Sequence, residues 1–509
     1  MSMKYVLPIV VALAVLLSFV PVVLSKQNDI KVSEKMSPQT QSCIGCHNNY
    51  TPGIVKDWMK SRHANTTPAD ALKASALERR VSAATVKSGL SEYTVGCYEC
   101  HSLNAEKHKD NFDHMGFKIN VIVSPNDCSV CHPQEVKEYS DSKKAHAIAN
   151  IMENPVYHTL VSTVTGLKKI QNAKVVAEKP TDNTLRETCL SCHGTKVEVN
   201  GTKTVSTKMG DINVPQLTNW PNQGVGRINP DGSIGACSPC HPRHAFSIEV
   251  ARKPYTCAQC HLEPDVPAWN VYKESKHGNI YFSKEREWNF SAVPWTVGKD
   301  FTAPTCATCH NSLIVAPDGG IVAERNHDFG SRLWVRLFGL VYSHPQPKSG
   351  NTTTIKNKDG LPLPTTFTNE PAFDHLIGKA EQERRFKTFK EVCSSCHNTD
   401  WIDGHFAKLD TTIKETDAMT LAATLTLVDA WTKGVEKGLP TKDNPFDEPV
   451  EQMWIKQWLF YANSAKYASA MTGAPDYAAF HNGWWYLTSN LMQMRDMVDL
   501  KYKMLKVKE

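Results

Sequence analysis

Every cysteine of this chain belongs to a Cys-x-x-Cys-His motif. The 509 residues include 16 cysteines, which form eight motifs beginning at Cys43, Cys97, Cys128, Cys189, Cys237, Cys257, Cys306 and Cys393. Their second cysteines are Cys46, Cys100, Cys131, Cys192, Cys240, Cys260, Cys309 and Cys396, and the adjoining histidines are His47, His101, His132, His193, His241, His261, His310 and His397.

This spacing suits covalent haem. Two thiols three residues apart lie about one helical turn from each other, so both can add to the vinyl groups of one porphyrin while the adjoining imidazole binds the iron. A single motif could equally hold zinc or act as a thiol redox pair. With eight motifs and no cysteine left over, the sequence predicts eight covalently bound haem c groups.

Residues 1–25 have the pattern of a signal peptide. Lys4 precedes an apolar run over 5–24, interrupted by Pro8 and Pro21, and small residues come before the polar residues that begin at Lys26. A retained anchor helix is the alternative, because the run is near the lower length limit for spanning a bilayer. Haem c is attached outside the cytoplasm, so we expect an exported protein in the periplasm or an equivalent energy-conserving compartment.

The motifs extend from residue 43 to residue 397, which leaves no room for a separate haem-free core. The predicted fold class is therefore mainly α: a multihaem cytochrome c with long loops around a haem array and a C-terminal bundle of long helices. We expect an octahaem-binding domain over 26–409 and a helical region over 410–509 for packing and oligomer contacts. The net charge of +5 is too mild to indicate a nucleic-acid partner.

Three helical patterns follow the last motif. They are expected over about 411–437, over 448–473 with Pro449 in the first turn, and from Asp476 as N-cap. The third places Phe480, Trp484, Leu487, Leu491, Met494 and Val498 on one seam. This seam packs either within its own subunit or across an oligomer interface.

Twelve of the 20 histidines lie outside the motifs, and seven distal ligands would leave one iron open. The candidates are His63, His114, His146, His244, His277, His327 and His344. His63, His146 and His277 share a local pattern in which an aromatic residue and a serine precede the histidine and a small residue follows it. His244 is too close in sequence to His241 to bind the same iron, so we expect it at a neighbouring haem. His108, His158, His375, His405 and His481 are either ligands or structural histidines.

Several stretches resemble the hydroxylamine oxidoreductase family of octahaem cytochromes, and the likeness covers essentially the whole chain after the leader. They are residues 237–247 (CSPCHPRHAFS), 260–265 (CHLEPD), 272–278 (YKESKHG), 326–329 (NHDF), 461–465 (YANSA), 475–477 (PDY) and 483–485 (GWW). The resemblance implies a catalytic fourth haem with His193 as its axial ligand and an open distal face. The other seven haems would be bis-histidine and relay electrons. Residues 200–235 are expected to be a loop, either a plain connection or one that shapes the pocket.

The resemblance also bears on whether the reaction is an oxidation or a reduction of the nitrogen substrate. Oxidative members carry an Asp-His pair after the sixth haem, whereas this chain has Asp265 and Val266. An imidazole suits proton acceptance near neutral pH, so its loss disfavours oxidation, and Asp265 can still deliver protons to nitrite. We therefore expect reduction of nitrite to nitric oxide, with oxidation of hydroxylamine or hydrazine as the alternative. A non-catalytic electron-transfer protein is a second alternative.

Oxidative members are trimers in which a tyrosine crosslinks to the catalytic haem of the next subunit. Tyr477 is the candidate for that crosslink, although the alignment leaves its presence open. The resemblance further implies a homotrimer or higher assembly, a small nitrogenous substrate and a soluble redox partner such as another c-type cytochrome. In an anammox bacterium the compartment would be the anammoxosome.

Overall fold

The computed structural model describes residues 35–507. The predicted signal peptide over 1–25 lies outside the described residues. Within 35–507, no helix combines the length and the apolar character needed to cross a membrane.

The first two thirds of the described chain consists of short helices joined by irregular segments. Proline in the first turn begins many of them, because its fixed φ suits that position and its missing N–H costs no helical hydrogen bond there. The helices are α1 (Pro38–Tyr50), α2 (Pro52–Met59), α3 (Arg62–Asn65), α4 (Pro68–Leu72), α5 (Ser88–Ser91), α6 (Cys97–His101), α7 (Pro125–Cys128), α8 (Pro133–Ser140), α9 (Ala147–Met152), α10 (Pro155–Thr165), α11 (Asp182–Glu187), α12 (Cys189–His193), α13 (Ile248–Arg252), α14 (Pro254–Ala258), α15 (Ala268–Glu274), α16 (Lys276–Lys284) and α17 (Cys306–His310).

Each haem-binding motif forms one helical turn. Helices α6, α12 and α17 coincide with motifs two, four and seven, and α1 contains motif one. In the other motifs the histidine N–H donates to the carbonyl of the first cysteine at 2.9–3.0 Å, as at His132, His241, His261 and His397. The predicted spacing of the two thiols by one turn is confirmed.

The strands form two-stranded antiparallel hairpins. They are β1 (Asn111–His114) with β2 (Phe117–Asn120), β3 (Lys168–Gln171) with β4 (Lys174–Ala177), β5 (Glu198–Thr207) with β6 (Gly210–Thr218), β7 (Ile314–Val315) with β8 (Ile321–Ala323), and β9 (Val335–Arg336) with β10 (His344–Pro345). The prediction of a loop over 200–235 was wrong for its first half. Alternating Thr and Val residues pair β5 with β6 across a tight turn, and only residues 219–235 remain irregular.

The C-terminal region is helical, as predicted, and the predicted fold class is confirmed. Its elements are α18 (Lys379–Ser394), α19 (Thr399–Thr432), α20 (Pro449–Ile455), a π-helix (Lys456–Ala462), α21 (Asn463–Ala470), a second π-helix (Tyr477–His481) and α22 (Trp484–Lys506). Short 3-10 turns occur at Thr352–Thr354, Phe373–His375 and Leu439–Thr441.

Two predicted helix starts were wrong. The helix expected from about 411 begins at Thr399, where the Asn398 side chain accepts a hydrogen bond from the Trp401 N–H at 2.9 Å. It therefore follows motif eight directly and crosses the expected boundary at 409/410 without a break. The last helix begins after Gly483 rather than at Asp476, because the segment before it is a separate π-helical turn.

The predicted seam of the last helix packs within the chain. Leu487, Met494 and Val498 are fully buried against α19, α20 and the first π-helix, whereas Phe480 is 64% exposed. Met494 and Val498 belong with Trp454 to the largest apolar cluster of the described residues, and Leu487 packs in a smaller cluster with Ala462 and Ala465. This cluster supports the haem-binding region without contributing a motif.

A buried ion pair joins two helices of this bundle. Lys466 of α21 contacts Asp417 of α19 at 2.6 Å, with only 1% of the lysine side chain exposed. The Asp417 carboxylate also accepts the Ser343 N–H. The pair therefore fixes α21 and the segment around Ser343 against α19.

We predict that Lys466→Met lowers the free energy of unfolding by about 3–5 kcal/mol, because it leaves a buried carboxylate without its cation. Lys379→Met is the matched control, since Lys379 is 90% exposed and lies 4.0 Å from Glu383. That variant should change stability by less than about 0.5 kcal/mol. Denaturant unfolding followed by circular dichroism measures both, and equal effects would contradict the role given to the buried pair.

Candidate functional site

A large apolar cavity runs through the haem-binding region. Its volume is about 2480 Å³, and residues of seven of the eight motifs line it, all but motif one. Protein interiors are normally close-packed, so a cavity of this size lined by paired cysteines and histidines requires a filling group. Porphyrins attached to those cysteines fit both the apolar walls and the donors.

The motif histidines are oriented for iron. In four of them a protein oxygen engages Nδ1: Thr51 Oγ1 at His47 (2.8 Å), the Asn120 carbonyl at His101 (2.8 Å), the Ala147 carbonyl at His193 (3.1 Å) and the Phe329 carbonyl at His310 (3.4 Å). A hydrogen bond at Nδ1 fixes the ring and leaves Nε2 as the donor to a metal. The residues present therefore fit haem c.

Three distal candidates face motif histidines at the separation that a bridging iron requires. An iron bound by two imidazoles at about 2 Å each holds the ring centres about 6 Å apart. The ring centres lie 6.1 Å apart for His47 and His114, 6.3 Å for His132 and His63, and 6.2 Å for His397 and His277. This spacing supports iron ligation by the three pairs, which stays a prediction.

Two further candidates lie beside other motifs. Burial and then the charge of His101 lower the pKa of His244, so His244 lies near motif two. This agrees with the expectation that His244 serves a haem other than the one bound by His241. Burial and then the charge of His327 lower the pKa of His241 to about 3. These contacts favour His244 as distal ligand at motif two and His327 at motif five.

The remaining candidates differ in their surroundings. His344 is 2% exposed, with Nδ1 2.6 Å from the Pro345 carbonyl and Nε2 buried without a partner. His146 precedes α9 and makes no side-chain hydrogen bond to a described residue. His405, which the sequence left open, lines the cavity with a buried, unpaired Nδ1. Its position one helical turn beyond Trp401, which stacks on His397, is the signal that could have found it.

The other histidines left open have structural surroundings. Both ring nitrogens of His108 contact carboxylates, those of Asp110 at 3.1 Å and Asp127 at 3.2 Å. Burial alone lowers the pKa of His108, but these hydrogen bonds raise it to about 10, so the ring is a cation rather than an iron ligand. The other three are His158, which is exposed, His375, whose Nε2 accepts the Lys356 N–H, and His481, which lies 3.4 Å from Glu263.

Contacts between cysteines give the order of the motifs in space. The sulfurs of four pairs lie close enough for each to act on the pKa of the other: Cys43 with Cys97, Cys128 with Cys237, Cys257 with Cys306, and Cys192 with Cys260. Weaker electrostatic contacts join Cys100 with Cys131, Cys240 with Cys257, and Cys309 with Cys393. Motifs one, two, three, five, six, seven and eight therefore form a continuous row. Motif four lies beside motif six as a side branch.

Motif four has a carboxylate beside it. Asp265 is exposed to the cavity, and its charge acts on His193, Cys189 and Cys192. Burial of the carboxyl group among protein atoms raises the pKa of Asp265, while backbone hydrogen bonds oppose that shift. The Asn463 side chain of α21 donates to the Asp265 carbonyl at 3.2 Å. The C-terminal bundle thus holds the turn that presents this carboxylate.

The irregular segment after β6 fixes the backbone of motif four. The N–H groups of Val225 and Gly226 donate to the carbonyls of Cys192 and His193 at 2.9 and 3.2 Å. At Gly226 a Cβ would lie 2.7 Å from the His193 oxygen, and Gly194 has a φ of +102° with a Cβ position 2.4 Å from the Arg227 nitrogen. This close backbone contact requires glycine at both positions.

Tyr477 lies near this turn but is buried within the chain. It is 3% exposed, and its hydroxyl donates to the Glu263 carboxylate at 2.8 Å. Burial and this carboxylate raise the pKa of Tyr477 to about 12. The phenol is thus hydrogen-bonded within its own subunit, and the crosslink stays an untested prediction.

Comparison with known proteins agrees with this architecture. Residues 231–315 match the family model described as seven times multi-haem cytochrome CxxCH, and residues 42–118 and 127–213 match cytochrome c554 and c-prime. A solved structure described as a hypothetical multiheme protein is 43% identical, covers 93% of this chain and 97% of that chain, and superposes with a TM-score of 0.86.

More distant relatives come from Kuenenia stuttgartiensis. A probable nitrite reductase-hydroxylamine oxidoreductase fusion protein is 24% identical over 437 residues, which are 81% of this chain. The chain spans 40% of that relative's length. A structure described as a reducing HAO-like protein complex has the same fold, with a TM-score of 0.56 at 18% identity over 92% of this chain and 85% of that chain.

The cavity, the paired histidines and these matches define a multihaem cytochrome c with covalently bound haem. Within that class, the chain is similar to relatives named for hydroxylamine oxidoreductase.

We predict that Gly226→Ala disturbs motif four selectively, because the new methyl group meets backbone atoms that cannot rotate away. The electron paramagnetic resonance signal of one haem should change while the others keep their low-spin signals. Gly53→Ala is the control, since a Cβ there meets nothing within 4 Å. An unaltered spectrum of the Gly226 variant would contradict the tight contact.

Proposed function

We propose that this chain is an octahaem oxidoreductase that reduces nitrite to nitric oxide at a five-coordinate haem on motif four. Seven bis-histidine haems would supply the electron. The observation that carries the proposal is the position of Asp265, whose charge acts on His193 and on both cysteines of motif four.

The spatial order of the motifs supports a catalytic role for motif four and an electron-transfer role for the other seven. Motif four touches the row only at motif six, through Cys192 and Cys260, so it lies at the end of a branch rather than within the path. A terminal position suits a centre that consumes electrons, because electrons reaching it have no further carrier. Motifs one and eight stand at the two ends of the row and suit exchange with a soluble redox partner.

Conversion of nitrite to nitric oxide takes one electron and two protons and releases water. A haem held by Cys189, Cys192 and His193 would supply the electron and the position at which nitrite binds. Asp265 delivers protons to the departing oxygen, and its raised pKa keeps protons available at higher pH than an ordinary aspartate would. Asn463 orients the turn that carries Asp265, and the Lys144 cation favours an anionic substrate over a neutral one.

The proposal includes an exported holoprotein that works with a c-type redox partner and assembles as a homotrimer or higher oligomer. The relative named as a nitrite reductase-hydroxylamine oxidoreductase fusion protein supports nitrogen chemistry of this kind. This similarity leaves open whether the reaction is an oxidation or a reduction. Hydroxylamine or hydrazine oxidation at the same centre is the alternative.

Two assays with the purified holoprotein test whether it reduces nitrite or oxidises hydroxylamine. Nitrite with a reduced viologen dye should yield nitric oxide, detected at an electrode, in one-to-one proportion with the dye electrons consumed. Hydroxylamine with an oxidised acceptor should react much more slowly. Rapid hydroxylamine oxidation without nitrite reduction would reject the proposed direction and favour the alternative.

We predict that the ferrous holoprotein binds carbon monoxide at one haem in eight, because a bis-histidine haem has no open coordination position. Optical titration against the pyridine haemochrome content measures this ratio. If no haem binds carbon monoxide, the chain is an electron-transfer protein without a catalytic centre.

We predict that Asp265→Asn lowers nitrite turnover about 100-fold or more, the usual scale for loss of a general acid. The low-spin haem spectrum and the carbon monoxide ratio should not change. Asp359→Asn, an exposed aspartate remote in sequence from the motifs, is the matched control and should keep full activity. Equal rates for the two variants would remove Asp265 from the mechanism.

A further inference from the structure

Four arginines converge on the cavity beside motif three. Arg62, Arg80, Arg252 and Arg325 all line it, and the charges of Arg62 and Arg325 act on Arg80. Among the described residues, the one ion pair within the group joins Arg325 to Glu135. Arg62, Arg80 and Arg252 contact no carboxylate there. Glu135 and Glu78 act on Arg80 from a distance, but their effect is smaller than that of the two neighbouring arginines.

Arg80 is the least satisfied of the four. One guanidinium nitrogen donates to the Arg79 carbonyl at 3.2 Å, while Nε and the second terminal nitrogen are buried without any partner. Arg252, by comparison, donates to the carbonyls of Phe290 and Ala292 and lies over the Trp295 ring. A buried guanidinium left without an acceptor is costly, so these two nitrogens require an anion that is absent from the polypeptide.

The position of Arg80 identifies that anion. Its backbone lies beside the His132 ring and acts on it, and His132 and His63 are the pair whose ring centres lie 6.3 Å apart. Arg62 directly precedes His63 and donates to the Ser291 carbonyl at 3.3 Å. The two arginines thus flank both axial histidines of a single haem, and each haem has two propionate carboxylates that an apolar cavity does not solvate.

We infer that Arg80, together with Arg62, binds the propionates of the haem attached to Cys128 and Cys131. The planar guanidinium donates two parallel hydrogen bonds to one carboxylate, a bidentate geometry that lysine does not reproduce. These ion pairs also set the electron affinity of that haem. Removing the cation leaves a propionate charge unopposed beside the iron and disfavours the added electron.

The test is redox titration of Arg80→Gln holoprotein, followed optically and by electron paramagnetic resonance. The midpoint potential of one haem should fall by about 59 mV. For a one-electron couple this corresponds to a tenfold lower equilibrium constant for reduction of that haem. Arg80→Lys keeps the positive charge but loses the bidentate geometry, so it should lower the midpoint potential of the same haem by a smaller amount. Unchanged potentials for every haem in Arg80→Gln would overturn the inference.

Controls separate this effect from misfolding and from a diffusible anion. Intact mass must show the same haem content as the parent protein. If the glutamine variant loses haem, Arg62→Gln provides the second measurement at the same haem. Arg384→Gln, a 59% exposed arginine paired with Glu381, should shift nothing.

The titrations are run in chloride-free buffer with and without nitrite. A difference between parent and variant that is independent of nitrite supports propionate binding. A difference that appears only with nitrite would assign the group to a free anion and overturn the inference. The outcome does not depend on the direction of catalysis, because the measured haem belongs to the row and not to motif four.

Discussion

Covalent attachment of porphyrin is the constraint on which the rest of this fold depends. Each Cys-x-x-Cys-His turn fixes a haem edge and one imidazole to a short helix, and apolar side chains between the motifs pack into local clusters such as the one around Tyr281 and Trp295. The result is a cavity of about 2480 Å³ walled by motifs. Polypeptide alone cannot fill it, so the haem-binding region owes its compactness to its cofactors.

The C-terminal bundle contributes most of the largest side-chain core of the described residues. The cluster around Trp454, Leu427 and Met494 also includes Leu160 and Tyr342 of the haem-binding region. A buried Lys466–Asp417 pair fixes α21 against α19, and Asn463 of the same helix reaches the Asp265 carbonyl. The position of the proposed proton donor therefore depends on a region that carries no motif of its own.

Local patterns predicted local features well. The motif turns, the mainly α fold and the apolar seam through Leu487 and Met494 follow from spacing, because thioether chemistry and helical periodicity act over a few residues; the structure decided that the seam packs within the chain. The β5–β6 hairpin and the early start of α19 were missed. Glycine, proline and asparagine in the first case, and the haem motif in the second, masked the underlying strand and helix patterns.

The sequence by itself determined the cofactor, since the count and spacing of cysteines admit little else. Only the tertiary structure decided which groups meet. It set His63 opposite His132, enclosed His108 between two aspartates and brought Arg62 towards Arg80. These contacts join residues brought together by folding around the haem cavity, and no local periodicity encodes such distances.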